Sequence, residues 1–241
     1  MKLSKRLALI GESINDVTVM ADIGTDHGAL PIMLVKSGRC QKAIASDINK
    51  GPVEIVTKRV GLARMVEKIE IRKGDGLQIL KPGEVNLIVI AGMGGALITE
   101  ILGTSPNICK RNDVQLILQP NTEPGVVRAW LTANNFIITK EELAYDQGKF
   151  YEMMWTEFSE RPNHYPGDYD GIIGGFLVRD RHELAIPYLK KKLLETEDVF
   201  DYLNVEIQRA DLDNKENIAD RLKQIEKKIM VLKNLMKELS E

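Results

Sequence analysis

The chain has 241 residues, of which 44% are hydrophobic and 28% charged, and its formal net charge is −2. This length allows one sizeable α/β core and a smaller appendage. Its apolar stretches fall far short of the about 20 residues that span a bilayer, and its start lacks the apolar core of a secretory signal, so we expect a cytoplasmic protein without a membrane span. The balanced charge excludes a globally basic nucleic-acid-binding protein, so an RNA partner would need a local basic patch.

The first predicted elements are a helix and a strand. Apolar residues of the helix recur at spacings of four, three and four and therefore share one face, namely Leu3, Leu7, Ile10 and Ile14. Residues 18–23 then form a short, apolar segment that ends at Gly24. This pattern predicts a buried parallel strand that enters a tight turn.

Strands and helices continue to alternate up to residue 160. We predict strands at residues 43–47, 69–72, 86–91 and 115–119, and helices at residues 30–37, 52–62 and 126–134. This rhythm specifies an α/β fold, a parallel sheet with helices on both faces. The last two strands, residues 136–143 and 150–158, are joined by a link too short for a crossover helix, so we expect an antiparallel hairpin. A seven-stranded, Rossmann-like sheet with this ending is typical of class I methyltransferases.

The pattern changes after residues 161–167, which are rich in turn-forming residues. We therefore predict two domains, residues 1–160 and residues 161–241. Two heptad stripes occupy the second domain, namely Leu189, Leu193, Thr196, Phe200, Leu203 and Ile207, and Ile218, Leu222, Ile225, Ile229, Leu232, Met236 and Leu239. Turn-favouring residues 211–217 separate the stripes, which predicts an antiparallel coiled-coil hairpin. Such a hairpin either only stabilises the fold or also holds a large substrate, and heptads do not separate these alternatives.

A glycine-containing turn follows the first strand, where doubly wound folds bind nucleotides. The turn consists of Asp22, Ile23, Gly24, Thr25, Asp26, His27 and Gly28. Asp26 stands where a dinucleotide-binding motif has its second glycine, and its carboxylate would repel a pyrophosphate but tolerate the cationic groups of S-adenosylmethionine. The turn therefore favours S-adenosylmethionine over NAD. The alternative is a tight turn with capping aspartates.

Two further carboxylates follow the next strands. Asp47 ends the second strand, where an acid can accept hydrogen bonds from both ribose hydroxyls of an adenosyl group, and Ile48 comes directly after it. Asp75 follows the third strand and would hold the exocyclic amine of the adenine, while Gly76 leaves room for the ring. A helix cap at Asp47 and a plain turn at Asp75 are the alternatives.

The fourth and fifth strands are followed by glycines and amides. Residues 91–95, Ala-Gly-Met-Gly-Gly, follow the fourth strand at the sheet edge where reaction is expected. Many amino-methylating enzymes carry Asn/Asp-Pro-Pro-aromatic there, whereas these glycines open space for a flat base. Gln119, Pro120 and Asn121 place two amides on the same rim, where they orient the base or cap the strand.

The two cysteines, Cys40 and Cys109, form no CxxC pair and have no neighbouring histidine at metal-ligand spacing. We therefore expect two buried thiols, and neither a disulfide framework nor a metal site.

Three longer strings are more specific than any single motif. ADIGTDHGALPI at residues 21–32, IAGMGG at residues 90–95 and LILQPN at residues 116–121 resemble the bacterial tRNA (adenine-N1)-methyltransferases of the TrmK family, which modify adenine 22. The resemblance extends to residues 5–7, residues 149–152 and the C-terminal heptads. Three departures from the family pattern are Gly-Ala at residues 28–29 for Ala-Tyr, Asp47 for Glu and Asp75 for Asn.

The resemblance implies methyl transfer from S-adenosylmethionine to N1 of adenine 22 in tRNA, with the coiled coil helping to hold the tRNA. The residues expected near the base, in catalytic positions, are Asp26, Gly92 and Asn121. The residues expected to bind the cofactor are Asp22, Gly24, Thr25, Asp26, His27, Gly28, Asp47, Ile48, Asp75, Gly76, Ala91, Gly92 and Met93. The candidate phosphate contacts are Lys5, Arg6, Lys110, Arg111, Arg128, Arg179, Arg181 and Lys190 to Lys192. We expect a monomer without a metal.

Three other functions share parts of the pattern. A NAD-dependent oxidoreductase has a related fold but lacks an acid at the position of Asp26. A methyltransferase acting on a small molecule or a protein would share every cofactor motif. A non-catalytic tRNA-binding protein with a vestigial cofactor pocket would retain tRNA without methylating it.

Overall fold

The computed structural model of this protein describes residues 3–25, 27–160, 167, 169, 171–209 and 211–241, without the side chains of residues 212 and 213. Asp26 and, apart from Gly167, the predicted domain boundary at residues 161–167 lie outside these ranges. Within the described ranges, no helix is both long enough and apolar enough to cross a membrane.

Strands and helices alternate through the first 160 residues, as the sequence predicts, but the two helices between the fourth and fifth strands were not predicted. The strands are β1 (Val17–Ile23), β2 (Cys40–Asp47), β3 (Ile69–Lys73), β4 (Leu87–Gly94), β5 (Gln115–Thr122), β6 (Phe136–Asp146) and β7 (Lys149–Phe158). The helices are α1 (Lys5–Ser13), α2 (Ala29–Lys36), α3 (Lys50–Leu62), α4 (Gly95–Thr104), α5 (Pro106–Cys109), α6 (Pro124–Ala133), α7 (Gly175–Arg179), α8 (Ala185–Glu206) and α9 (Leu212–Ser240).

The strands form one seven-stranded sheet in the order β3-β2-β1-β4-β5-β7-β6. Strands β1 to β5 pair in parallel, and β7 runs antiparallel to both β5 and β6. The predicted Rossmann-like methyltransferase sheet and its hairpin are therefore confirmed. The strand order reverses between β1 and β4, so the crevice that doubly wound sheets use for ligands lies at the carboxyl ends of these two strands.

The sheet is covered on both faces, which explains the continuous apolar runs in its strands. On one face α4 and α6 pack through residues such as Ile98 and Val127. On the other face α1, α2 and α3 pack through residues such as Ile10, Leu34 and Val56. Both cysteines are buried thiols, as expected.

Helices α8 and α9 pack against each other in opposite directions, so that Glu197 of α8 pairs with Lys233 of α9 at 2.9 Å. The predicted turn at residues 211–217 is wrong, because α9 already begins at Leu212. Asp211 instead caps this helix, and its carboxylate accepts the backbone N–H of Asn214 at 3.0 Å. Aspartate and asparagine favour both turns and helix starts, which explains the error.

The helical pair is joined to the sheet through buried charges. Arg128 of α6 and Glu152 of β7 contact each other at 2.5 Å, and their side chains are 1% and 3% exposed. Glu141 of β6 lies 3.5 Å from the same guanidinium. The hydroxyl of Tyr188 in α8 donates to Glu152, so a single cluster connects both parts of the chain.

Candidate active site

Two predicted motifs meet where β1 and β4 lie side by side. Gly24, directly after β1, has a φ of +71°, which favours glycine. A Cβ atom there would lie 2.1 Å from the Met93 Cε atom at the end of β4. A glycine at position 24 therefore allows both the left-handed turn after β1 and the close contact with the end of β4.

A buried acid lies beside this contact. Asp22 is 8% exposed, and burial raises the pKa of its carboxyl from 3.8 to about 6, against the opposing effects of the Thr25 side chain and the Arg6 charge. The Thr25 backbone N–H donates to the Ser46 carbonyl of β2 at 2.8 Å, which fixes the turn against the neighbouring strand. The site thus holds a carboxyl group whose charge is sensitive to a cationic neighbour.

The rest of the first motif turns away towards α2. Gly28 has a φ of +63° just before α2, and a Cβ there would meet Val56 at 2.9 Å, so this glycine has a packing reason. The His27 side chain is exposed, and its carbonyl accepts a hydrogen bond from Arg59 at 3.2 Å. Asp26, which was expected in both the base and the cofactor sites, lies outside the described residues.

Asp47 and Ile48 at the end of β2, and Asp75 and Gly76 after β3, lie along the same edge of the sheet. Asp47 ends β2, and its carboxylate accepts the Asn49 backbone N–H at 2.7 Å. Ile48 is 56% exposed, which leaves its side chain available to a ring. Asp75 is exposed, whereas a Cβ on Gly76 would meet Ile101 of α4 at 3.0 Å. The space that Gly76 leaves on its Cα is therefore filled by Ile101, and the contact of Gly76 with adenine stays a prediction.

Residues 91–94 of the glycine-rich segment lie within β4 and do not follow it as predicted, and Gly95 begins α4. The pairing of β4 with β5 shifts register around Gly92, which has a φ of +88°. Such a bulge lets glycines continue a strand while re-aiming its groups. Asn121 compensates for the interrupted ladder, because its side-chain amide donates to the Gly92 carbonyl at 2.7 Å. In the sequence, Gly92 and Pro120 indicate strand ends, because the pairing of β4 with β5 is visible only in the structure.

A chain of hydrogen bonds extends from this bulge to α1. The Gln119 amide nitrogen donates to the Asn121 side-chain oxygen at 3.1 Å, and the guanidinium of Arg6 donates to the Gln119 side-chain oxygen. Gln119 is fully buried, and Asn121 is exposed at the mouth of the crevice. The guanidinium also lies over the Tyr151 ring at 5.6 Å. We name this chain, from Arg6 through Gln119 and Asn121 to Gly92, the amide relay.

Arg6 is a site residue that the sequence placed elsewhere, among the tRNA phosphate contacts. The sequence pattern of α1 does not distinguish Arg6 from a solvent-facing cation. Its position beside Gly92 of β4 is visible only in the structure. A Cβ on Gly92 would lie 3.4 Å from both terminal nitrogens of Arg6.

Other cations expected to face tRNA are also paired within the protein. The prediction for Arg128 is wrong, because the residue is buried against Glu152. Arg111 and Arg179 are exposed but each pairs with an aspartate close in sequence. The candidates that stay predictions are Lys5, Lys110, Arg111, Arg179, Arg181 and Lys190 to Lys192.

A basic cleft of about 770 Å³ lies between the end of β5 and the helical pair. Its wall begins at Asn121, so it opens directly from the amide relay. Its cationic side chains are Lys149, Lys191, Lys192, Arg221 and Lys228. Burial lowers the pKa of the Lys192 ammonium, and the nearby charges of Lys228 and Arg128 act in the same direction, against the opposing effect of Glu152. Sequence reasoning missed the cleft because its cations come from three separate elements.

The donor set at the sheet edge fits S-adenosylmethionine. Asp22 and Asp47 lie at the carboxyl ends of the adjacent parallel strands β1 and β2, and carboxyl groups in this position suit an ammonium group and ribose hydroxyls. An acidic crevice of this kind suits a cationic ligand better than a pyrophosphate.

Comparisons with known proteins agree with this geometry. The profile of the tRNA (adenine(22)-N(1))-methyltransferase family TrmK matches residues 20–234. A Bacillus subtilis (strain 168) tRNA (adenine(22)-N(1))-methyltransferase is 33% identical over 239 residues, which cover 98% of each chain.

Solved structures give the same result. The crystal structure of the B. subtilis M1A22 tRNA methyltransferase TrmK superposes with a TM-score of 0.85 at 32% identity, over 98% of this chain and 99% of that one. M. capricolum TrmK in complex with S-adenosylhomocysteine has a TM-score of 0.75 at 26% identity, over 96% of this chain and 100% of that one. The chain therefore belongs to the TrmK family of tRNA (adenine(22)-N(1))-methyltransferases.

Proposed function

We propose that this protein transfers a methyl group from S-adenosylmethionine to N1 of adenine 22 in tRNA. The observation that carries the proposal is the placement of an exposed amide, Asn121, on the rim of an acidic crevice at the carboxyl ends of β1 and β4. Family membership supplies the substrate position, and the M. capricolum relative with S-adenosylhomocysteine supports the cofactor.

The residues around the first turn would hold the cofactor. Asp22 and the backbone at Gly24 and Thr25 face its amino-acid part, together with the predicted contacts Asp26, His27 and Gly28. Asp47 accepts the ribose hydroxyls, and Ile48 packs on the adenine, whose edge is held by Asp75 and Gly76. Ala91, Gly92 and Met93 lie closest to the second reactant. These assignments rest on strand order and on the fit of carboxylates to hydroxyl and ammonium groups.

Methyl transfer to N1 requires that the two reactants are correctly positioned, and it requires no proton transfer. The bound cofactor supplies a methyl group on a sulfonium, so the N1 lone pair of adenine forms the new bond while the carbon–sulfur bond breaks and its electron pair stays on sulfur. No proton needs to leave, because the positive charge passes from sulfur to the base. Asn121 and Gly92 orient the base towards the methyl group.

The basic cleft would hold the tRNA. An adenine in folded tRNA has to leave its stack, which costs a few kcal/mol that contacts in the pocket must offset. Cations beside Asn121 are placed to hold phosphates next to the displaced base. We therefore propose that residues 1–160 carry the reaction and residues 161–241 help to bind tRNA, in the cytoplasm where tRNA is modified.

Mapping of the methylated base tests this function. The purified protein is incubated with labelled S-adenosylmethionine and an unmodified tRNA transcript, and the digested nucleosides are analysed by mass spectrometry. We expect N1-methyladenosine at position 22, and no incorporation into a transcript with guanine at that position. Cofactor binding without incorporation into any tRNA would contradict the proposal.

A further inference from the structure

The amide relay has only one possible polarity. The guanidinium of Arg6 has donors and no acceptor, so it must face the oxygen of Gln119. At the other end the Gly92 carbonyl can only accept, so it must face the nitrogen of Asn121. The bond between the two amides, from the Gln119 nitrogen to the Asn121 oxygen, agrees with both ends. The orientation of the Asn121 amide is therefore fixed by chemistry and not by rotamer preference alone.

Asn121 keeps hydrogen-bonding capacity after these contacts. A primary amide has two N–H donors on its nitrogen and two lone pairs on its oxygen. The relay uses one N–H, towards Gly92, and one lone pair, towards Gln119. One donor and one acceptor of an exposed side chain remain for a ligand at the mouth of the crevice.

An adenine that reacts at N1 can offer this amide only one complementary edge. N1 has to point at the methyl group, which leaves the Hoogsteen edge with the N7 acceptor and the N6 amino donor. Asparagine is the side chain that pairs with these two atoms in nucleic-acid recognition. Guanine presents an O6 acceptor in place of the amino group, so an amide of fixed polarity would place its oxygen against another acceptor.

We propose that Asn121 binds the Hoogsteen edge of the target adenine, and that Gln119 and Arg6 are positioning residues that fix the polarity of its amide. This inference rests on the proposed function, because it requires an adenine to be methylated at N1. It assigns base selection to the relay, and not to stacking on an aromatic side chain.

A tRNA that carries 7-deazaadenine at position 22 tests the inference, because the base lacks the N7 acceptor but keeps N1 and the amino group. For the unaltered protein we expect kcat/KM to be about tenfold lower with this tRNA than with normal tRNA. For Asn121→Ala we expect a lower kcat/KM with normal tRNA, and a ratio between the two tRNAs that no longer contains the penalty for the missing N7. Any change in N1 reactivity caused by the altered ring cancels in this comparison.

Arg6 is tested with the same pair of tRNAs. Arg6→Met removes one of the contacts that fix the Gln119 amide, and the bond from the Gln119 nitrogen to the Pro120 carbonyl at 2.9 Å remains. We therefore expect the penalty for the missing N7 to shrink only in part, to about threefold, whereas Arg6→Lys keeps a donor and retains the penalty. A purely structural role of Arg6 would lower kcat/KM for both tRNAs by the same factor.

An equal N7 penalty in the unaltered protein and in Asn121→Ala would overturn the inference. The absence of methylation on normal tRNA would instead contradict the proposed function itself, so the two failures are distinguishable. Asn121→Ala removes two hydrogen bonds at an exposed position, so we expect only a small fall in the thermal unfolding temperature, and a single cooperative transition above the assay temperature excludes misfolding as the cause.

Discussion

The edge of the sheet and the basic cleft differ in how they use charge. At the sheet edge, glycines, amides and the carboxyl of Asp22 surround the crevice, and the nearby Arg6 is held by Gln119. The cleft next to it carries cations from β7, α8 and α9. A reaction that passes positive charge from a sulfonium to a base needs few free cations around it, whereas a polyanionic substrate needs many. We therefore propose that the sheet edge carries the chemistry and that the cleft supplies the affinity for tRNA.

The buried cluster around Arg128 connects the sheet with helix α8, and the loss of this cation should have the largest effect. Arg128→Met leaves the carboxylates of Glu141 and Glu152 buried without this cation, so we expect the free energy of unfolding to fall by about 3–5 kcal/mol. Urea denaturation measures the loss. Arg111→Met, which breaks an exposed ion pair, is the matched control and should cost less than about 1 kcal/mol. Similar losses in both variants would show that the buried cluster stabilises the protein no more than an exposed ion pair does.

Asp47→Ala tests whether the sheet edge binds the cofactor independently of tRNA. Loss of an acceptor for two ribose hydroxyls should weaken binding of S-adenosylhomocysteine about a hundredfold, while tRNA affinity stays unchanged. Isothermal titration and filter binding measure the two affinities. Asp113→Ala, an exposed aspartate outside the crevice, serves as the control. Equal weakening of both ligands would contradict the ribose assignment.

The cleft is tested by removing its exposed cations. Replacement of Lys149, Arg221 and Lys228 by glutamine should weaken tRNA binding about thirtyfold and make its salt dependence shallower, because fewer counterions are released. Methyl transfer at saturating tRNA should keep its rate. A control triple variant at the opposite end of the sheet replaces Lys36, Lys42 and Lys68 in the same way. If the control loses as much affinity, tRNA binding depends on total charge and not on the cleft.

The smallest expected effect concerns Asp22 and pH. Its carboxyl has a pKa of about 6, so it loses its negative charge as the pH falls through 6. The charged form attracts a cationic ligand, so S-adenosylmethionine should bind about fivefold to tenfold more weakly at pH 5 than at pH 7.5. Fluorescence titration over this range measures the change. Asp22→Asn should remove this pH dependence, and an unchanged profile in that variant would assign the effect to another group.

The sequence predicts the sheet well because its information is local. Buried strands such as Leu87–Ile90 are continuous apolar runs, and the parallel strands β1, β2, β4 and β5 are each followed by an α-helix. The start of α9 was misjudged because Asp211 favours a turn and a helix cap equally. The extent of β4 was misjudged because a glycine in a bulge resembles a glycine in a turn.

The positions of several charged side chains could not be predicted from the sequence. The sequence predicts that Arg6 and Arg128 face tRNA, because most helical arginines face solvent. Arg6 instead contacts Gln119 of β5, and Arg128 contacts Glu152 of β7, and both partners are distant in the sequence. Carboxylates at strand ends were easier to place, because parallel strands bring their carboxyl ends together. The basic cleft could not be predicted, since its cations converge only through the packing of α8 and α9 on the sheet.

The most direct test of the separation between the regions combines two measurements on two variants. Single-turnover methylation at saturating tRNA and the equilibrium Kd for tRNA are determined for Asn121→Ala and for the triple variant of Lys149, Arg221 and Lys228. We expect Asn121→Ala to lose methylation rate with an unchanged Kd, and the triple variant to lose affinity with an unchanged rate. Loss of rate and affinity in the same proportion in both variants would contradict the account.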